Sequence, residues 1–103
     1  LRPLLEVAHT NALKAAPCAE ECFVSLTTPD ETFGFSCRES GFVEVGDRTP
    51  RVEYWLDSEY LFGLLTRLYH WNNAEVGSNL RHVRVPTVRY RHDVSLFLSH
   101  LHV

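Results

Sequence analysis

The chain has 103 residues, a formal net charge of −3, 45% hydrophobic residues and 22% charged residues. Those values describe one domain of ordinary globular composition, and they exclude a disordered tail, a collagen-like segment and a coiled coil. Methionine is absent and the chain opens Leu1-Arg2-Pro3, so the expectation is a single domain over residues 1–103, cut from a longer protein.

Leu1, Leu4, Leu5, Ala8, Ala12 and Ala15 recur at three- and four-residue steps. That spacing predicts an amphipathic helix over 2–16, with Pro3 in its first turn and Pro17 ending it. From Cys22 the period drops to two. Strands are predicted over 22–27, over 32–37 with Phe33, Phe35 and Cys37 on one face, over 42–45, and over 51–56 with Val52, Tyr54 and Leu56 on one face. Turns at Pro29-Asp30-Glu31, Glu39-Ser40-Gly41 and Gly46–Pro50 separate them. The helical period returns at Tyr60, Leu61, Leu64, Leu65, Leu68 and Tyr69, with Asp57 or Ser58 as N-cap, which predicts a helix over 58–70. Asn72 with Glu75 three residues on resembles a capping box and opens a short helix over 73–78, near Gly77. Residues 80–85 alternate as a strand that Pro86 ends. The tail from Asp93 fits either a helix with Val94, Phe97, Leu98 and Leu101 inward or a closing strand. The whole reads as α+β: a four- to five-stranded, mainly antiparallel sheet with the helices of 2–16 and 58–78 on one face.

Charge is unevenly distributed: residues 1–59 carry a net −6 and residues 60–103 a net +3. The basic part centres on Arg81, Arg84, Arg89 and Arg91 with His82 and His92 interleaved. It lacks the long Lys-rich, aromatic-studded stripe that phosphate backbones need, so no nucleic-acid partner is expected. No apolar run approaches the ~18 residues of a membrane span. Cys18, Cys22 and Cys37 form an odd set with no CxxC pair, which fits reduced thiols and a cytoplasmic location better than a disulfide framework or zinc site.

The chemistry-bearing types form no recognisable constellation. Six histidines invite a metal, and His82, His100 and His102 would approach one another if the tail were a strand. Yet HExxH is absent and no metal site or cofactor is expected. Neither GxSxG, GxGxxG nor a P-loop occurs. Carboxylate pairs such as Glu20-Glu21 and Asp57-Glu59 sit at element starts, where caps and helix dipoles account for them. An enzyme is therefore not expected.

Two stretches carry a resemblance. Across 22–85, a strand meander, the run D-S-x-x-L-x-x-L-L over 57–65, a small-residue turn and a strand follow in the order of a sterol-carrier-protein-like α+β domain. The string HWNNAEVGSNLR at 70–81, with His70, Trp71, Asn72, Asn73, Glu75 and Gly77, is similar to the C-terminal accessory region of certain bacterial metallo-β-lactamase-fold proteins, some of which also contain a Rieske-type domain. The closing Leu-Ser-His-Leu-His-Val is similar to the ends of those chains. The metal-binding motifs of both catalytic modules are missing here. The resemblance thus implies a non-catalytic accessory domain whose partner is a covalently linked catalytic domain, or a second copy in a homodimer. The sterol-carrier likeness implies an alternative, a carrier with an apolar small molecule between sheet and helices, lined by Phe33, Phe35, Tyr54, Leu61, Leu64, Leu65, Leu68 and Trp71.

Overall fold

The structure, a computed structural model, describes residues 1–71, 81–85 and 91–103. Helix α1 spans Arg2–Ala15. Pro3 costs nothing in its first turn, where its missing N–H would have had no partner. Leu5, Ala8, His9 and Ala12 form its buried stripe, while Ala15, expected inward, is exposed. Strands β1 (Phe23–Thr27), β2 (Thr32–Ser36) and β3 (Arg51–Trp55) follow, then helix α2 (Ser58–Leu65), strand β4 (Arg81–Val85) and helix α3 (His92–Ser99). The tail therefore resolves as a helix, with Val94, Phe97 and Leu98 buried on it and Leu101 buried just beyond.

The four strands lie in the order β2-β1-β3-β4. β1 and β2 form an antiparallel hairpin, and β3 and β4 are also antiparallel, but β1 and β3 run parallel. Two of the three pairings are antiparallel, and the sheet is mixed rather than purely antiparallel. The reason lies in residues 37–50, which carry the chain from the β2 edge past β1 to its far side. Phe42–Val45, expected as a strand of its own, contributes only an isolated bridge from Phe42 to Phe35. The Val43 N–H then donates to the Gly34 carbonyl at 2.8 Å, and the segment folds over the sheet, burying Val45. A Cβ at residue 34 would collide with the Val43 carbonyl and press on Val45. Glycine at that position is what lets the crossing chain lie down.

One sheet face is apolar and the other is not. Val24, Leu26, Phe33, Phe35, Val52 and Tyr54 point inward and share one core with Leu5, Ala8, Ala12, Leu61, Leu64, Leu65, Val94, Phe97 and Leu98, so the helices cover this face. Each such Leu or Phe is worth about 1.5–3 kcal/mol when removed from water. Ser25, Gly34 and Glu53 are register partners on the opposite face.

Helix α2 stops five residues before the predicted end, at Leu65. The Thr66 hydroxyl donates back to the Phe62 carbonyl at 2.8 Å, and Arg67 turns left-handed at φ 67°. The three-and-four spacing loses its meaning beyond that point. Leu68, predicted inward, is consequently 71% exposed. Asp57 holds the N-cap position in extended conformation but makes no side-chain cap bond. The expected helix over 73–78, with Asn72, Asn73, Glu75 and Gly77, lies outside the described residues.

Candidate functional site

Two polar assemblies sit at separate places on this frame. The first is a cleft of about 480 Å³ lined by Leu64, Arg67, Tyr69, His70, Trp71, Ser99, His100 and His102. The left-handed turn at Arg67 brings the chain back beside the residues that follow α3. The Val103 N–H donates to the Leu65 carbonyl at 2.8 Å, one of the carbonyls that a helix C-terminus leaves unpaired. Arg67 Nε donates to His102 Nδ1 at 3.0 Å and to the Val103 carbonyl at 3.2 Å. Trp71 Nε1 donates to the Leu101 carbonyl at 3.4 Å, and Asn11 of α1 donates its amide to the His102 carbonyl at 3.0 Å. Tyr69 stacks on Tyr60 at 4.8 Å and lies against Gly63, where a Cβ would strike its ring.

The Arg67–His102 bond decides a tautomer. A guanidinium N–H can only donate, so His102 Nδ1 must accept, and its ring proton resides on Nε2. The 3.3 Å approach of the same nitrogen to the Val103 carbonyl is then a contact between two acceptors. His100 and His102 stand 6.4 Å apart, ring centre to ring centre. His82 does not join them: it lies against Tyr54 at 5.6 Å, and Tyr54 meets Trp71 edge-on at 5.6 Å. Among the described residues no group of three or more His, Cys, Asp or Glu is arranged to hold a metal ion.

The second assembly is a corner where the α1–β1 link, the end of β2 and the start of α3 meet. Cys18, Cys22 and Cys37 are free and buried there. The Cys18 N–H donates to the Cys37 carbonyl at 3.1 Å and the Cys37 N–H to the Cys22 carbonyl at 2.9 Å. Hydrogen bonds to Cys18 and Cys22, together with burial, hold the Cys37 thiol protonated far above its ordinary range. The bond with Cys37, aided by the Arg91 charge, lowers Cys22 against the opposing effect of burial. Arg91 braces the corner. Its Nη1 and Nη2 donate to the Glu21 and Glu20 carbonyls at 3.0 Å each, and its Nη2 meets Asp93 Oδ2 at 2.6 Å. This bond raises Arg91 and lowers Asp93, while Asp93 Oδ1 accepts the Val94 N–H at 3.0 Å in the first turn of α3. Nearby, His9 Nε2–H donates to the Ser36 carbonyl at 2.7 Å and its ring packs on Phe35 at 4.7 Å. Burial pushes its pKa down, outweighing the raising effect of that hydrogen bond.

The candidate residues divide between core and cleft. Phe33, Phe35, Tyr54, Leu61, Leu64 and Leu65 are all buried within the one core, and of these Leu64 also reaches the cleft. Trp71 is likewise buried in that core and borders the cleft, His70 lines the cleft, Leu68 stands in solvent, and Asn72, Asn73, Glu75 and Gly77 lie outside the described residues. Arg67 and Ser99 were not legible as cleft residues. Nothing local marks Arg67, because the left-handed position after a helix is usually glycine. The basic run also disperses: Arg81 stacks over Trp55 at 4.8 Å, whereas Arg91 belongs to the cysteine corner. No helix among the described residues is long and apolar enough to cross a membrane. The chain matches no protein-family model, no curated protein and no solved structure.

Proposed function

We propose that the chain is a non-catalytic accessory domain that docks on a neighbouring catalytic domain of the same parent protein. The observation that carries this reading is the joining of two stretches distant in sequence. His70-Trp71 opens the string similar to metallo-β-lactamase-fold accessory regions, and residues 98–103 are the closing stretch similar to the ends of those chains. The bonds from Trp71 to Leu101, Arg67 to His102 and Val103, and Val103 to Leu65 knit them into one surface. Leu68, Tyr69 and Val103 expose apolar side chains along it, as a docking face requires.

The cleft's own chemistry supports a non-catalytic role. The serine hydroxyl among its described lining residues, Ser99 Oγ, donates to the Leu96 carbonyl at 2.6 Å within α3 rather than to an imidazole that would activate it. The carrier alternative would place its ligand among side chains that pack on one another: His9 on Phe35, Phe35 against Phe97 at 6.3 Å, and Tyr54 against Trp71. That packing favours docking. In the full-length parent, amide exchange at residues 67–71 and 98–103 is expected to be slow and to accelerate in Leu68→Asp. A parent reading frame without a metal-binding catalytic domain, or unchanged exchange in that variant, overturns the proposal.

A further inference from the structure

The cysteine corner holds chemistry that docking leaves unused. Phe23 of β1 is the register partner of Ser36 of β2, so the next step along the ladder sets Cys22 opposite Cys37. Opposed residues of an antiparallel pair point to the same sheet face, and both cysteines are buried in the core on that face. A hydrogen-bonded pair of this kind has Cα atoms about 5.5 Å apart, inside the roughly 4.4–6.8 Å that a disulfide spans.

The backbones of the two residues are only half joined. The Cys37 N–H donates to the Cys22 carbonyl at 2.9 Å. The reciprocal bond is not made: the Cys22 N–H donates to Glu21 Oε1 at 3.0 Å, and the Cys37 carbonyl accepts the Cys18 N–H at 3.1 Å. Cys22 thus stands at the open end of the ladder, closing a link over residues 16–22 that belongs to no helix or strand. Exposing it takes opening of that link rather than of the whole core. The hydrogen bond with Cys37 and the charge of Arg91 favour its thiolate, which is the reactive form.

We propose that Cys22 and Cys37 are a redox pair that closes reversibly into a disulfide, with hydrogen peroxide as the oxidant. The Cys22 thiolate attacks one peroxide oxygen and keeps it as a sulfenic acid. The other oxygen leaves as water with the proton that Cys22 gave up. The Cys37 sulfur then attacks the Cys22 sulfur, the S–S bond forms, and the sulfenic hydroxyl leaves with the Cys37 proton as a second water. Two thiols lose two electrons and two protons to one peroxide. Reduced glutathione reverses the step by exchange, two of its thiols becoming one glutathione disulfide. Closure draws in Cβ atoms that a ladder holds about 4.5–5.5 Å apart, against roughly 3.5–4.5 Å in a relaxed disulfide. A bond closed at that cost is readily reduced, as reversibility requires.

The test treats the reduced, folded chain with hydrogen peroxide, alkylates the remaining thiols and cleaves after glutamate. Glu20, Glu21 and Glu31 place the three cysteines in separate peptides, so mass spectrometry reads the pairing directly. The expected product is a Cys22–Cys37 bridge within one chain, with Cys18 alkylated, that reduced glutathione reopens without denaturant. Cys18→Ser should still form the bridge, and Cys22→Ser should lose free thiol about tenfold or more slowly, as its reactive thiolate is gone. A bridge carried by Cys18 or joining two chains overturns the proposal. So does an undiminished thiol count in the folded chain, or a bridge that glutathione leaves closed.

Discussion

Two arginines face opposite circumstances in this small fold. Arg91 spends its guanidinium on Asp93 and on the Glu20 and Glu21 carbonyls, closing a corner whose thiols are buried. Arg67 reaches His102 and the Val103 backbone oxygen through Nε, and its terminal nitrogens have no partner among the described residues. Both are arginines beside helix ends, and composition does not distinguish them. The difference is whether the fold supplies the counter-charge. Where it does, the arginine is a brace. Where the described residues supply none, the arginine is held through Nε alone.

The strongest way to break this contrast is to remove the brace. Arg91→Met is expected to cost about 2 kcal/mol, since it strands a carboxylate and two carbonyls that were paired with a charged donor. Urea denaturation with an unchanged m-value checks it. A loss no larger than that of Arg67→Gly would mean the two arginines are equivalent. The thiols offer a second measure. Buried at 4%, 2% and 0% exposure, Cys18, Cys22 and Cys37 should react with Ellman's reagent only slowly in the folded chain and at once in denaturant. Cys22 is expected first, because the bond with Cys37 and the charge of Arg91 favour its thiolate.

Acid sharpens the contrast further. Asp93 is held below the usual carboxylate range chiefly by its bond to Arg91. Its contribution is present above the unfolded carboxylate value and is lost as pH falls through the lowered folded one. Arg91→Met should flatten that acid limb, and Arg67→Gly should leave it intact. His9 acts at milder pH. Its imidazole is lowered by burial, so the unfolded chain takes up the proton first. Stability should therefore begin to decline as pH falls past the ordinary histidine value. Thermal melts across pH in wild type and in His9→Gln resolve this step. The smallest effect is that of Arg67→Gly on stability itself, within about 0.5 kcal/mol of zero, as relieved backbone strain offsets two exposed hydrogen bonds.

How much of this was readable from residues depends on distance along the chain. α1, β1, β2 and β3 follow from local periodicity, because a buried stripe at three and four, or an alternation at two, is written within a dozen residues. Leu68 was misread for the same reason: its spacing continues the helix, and only the left-handed Arg67 interrupts it. The parallel pairing of β1 with β3 was also out of reach. A period of two specifies which face a strand buries but not which neighbour it takes, and the space over Gly34 that admits Val43 exists only once the hairpin is formed.

By itself, then, the sequence determined the α+β class, most element positions and the identity of the apolar sheet face, since these rest on short-range spacing and on burial of oily side chains. Tertiary structure alone decided the mixed sheet, the meeting of Cys37 with Cys18 and Cys22, and the bond between Arg67 and His102. Those pairings join residues far apart in the chain, and only chain reversals that no local pattern encodes bring their polar groups within hydrogen-bonding distance.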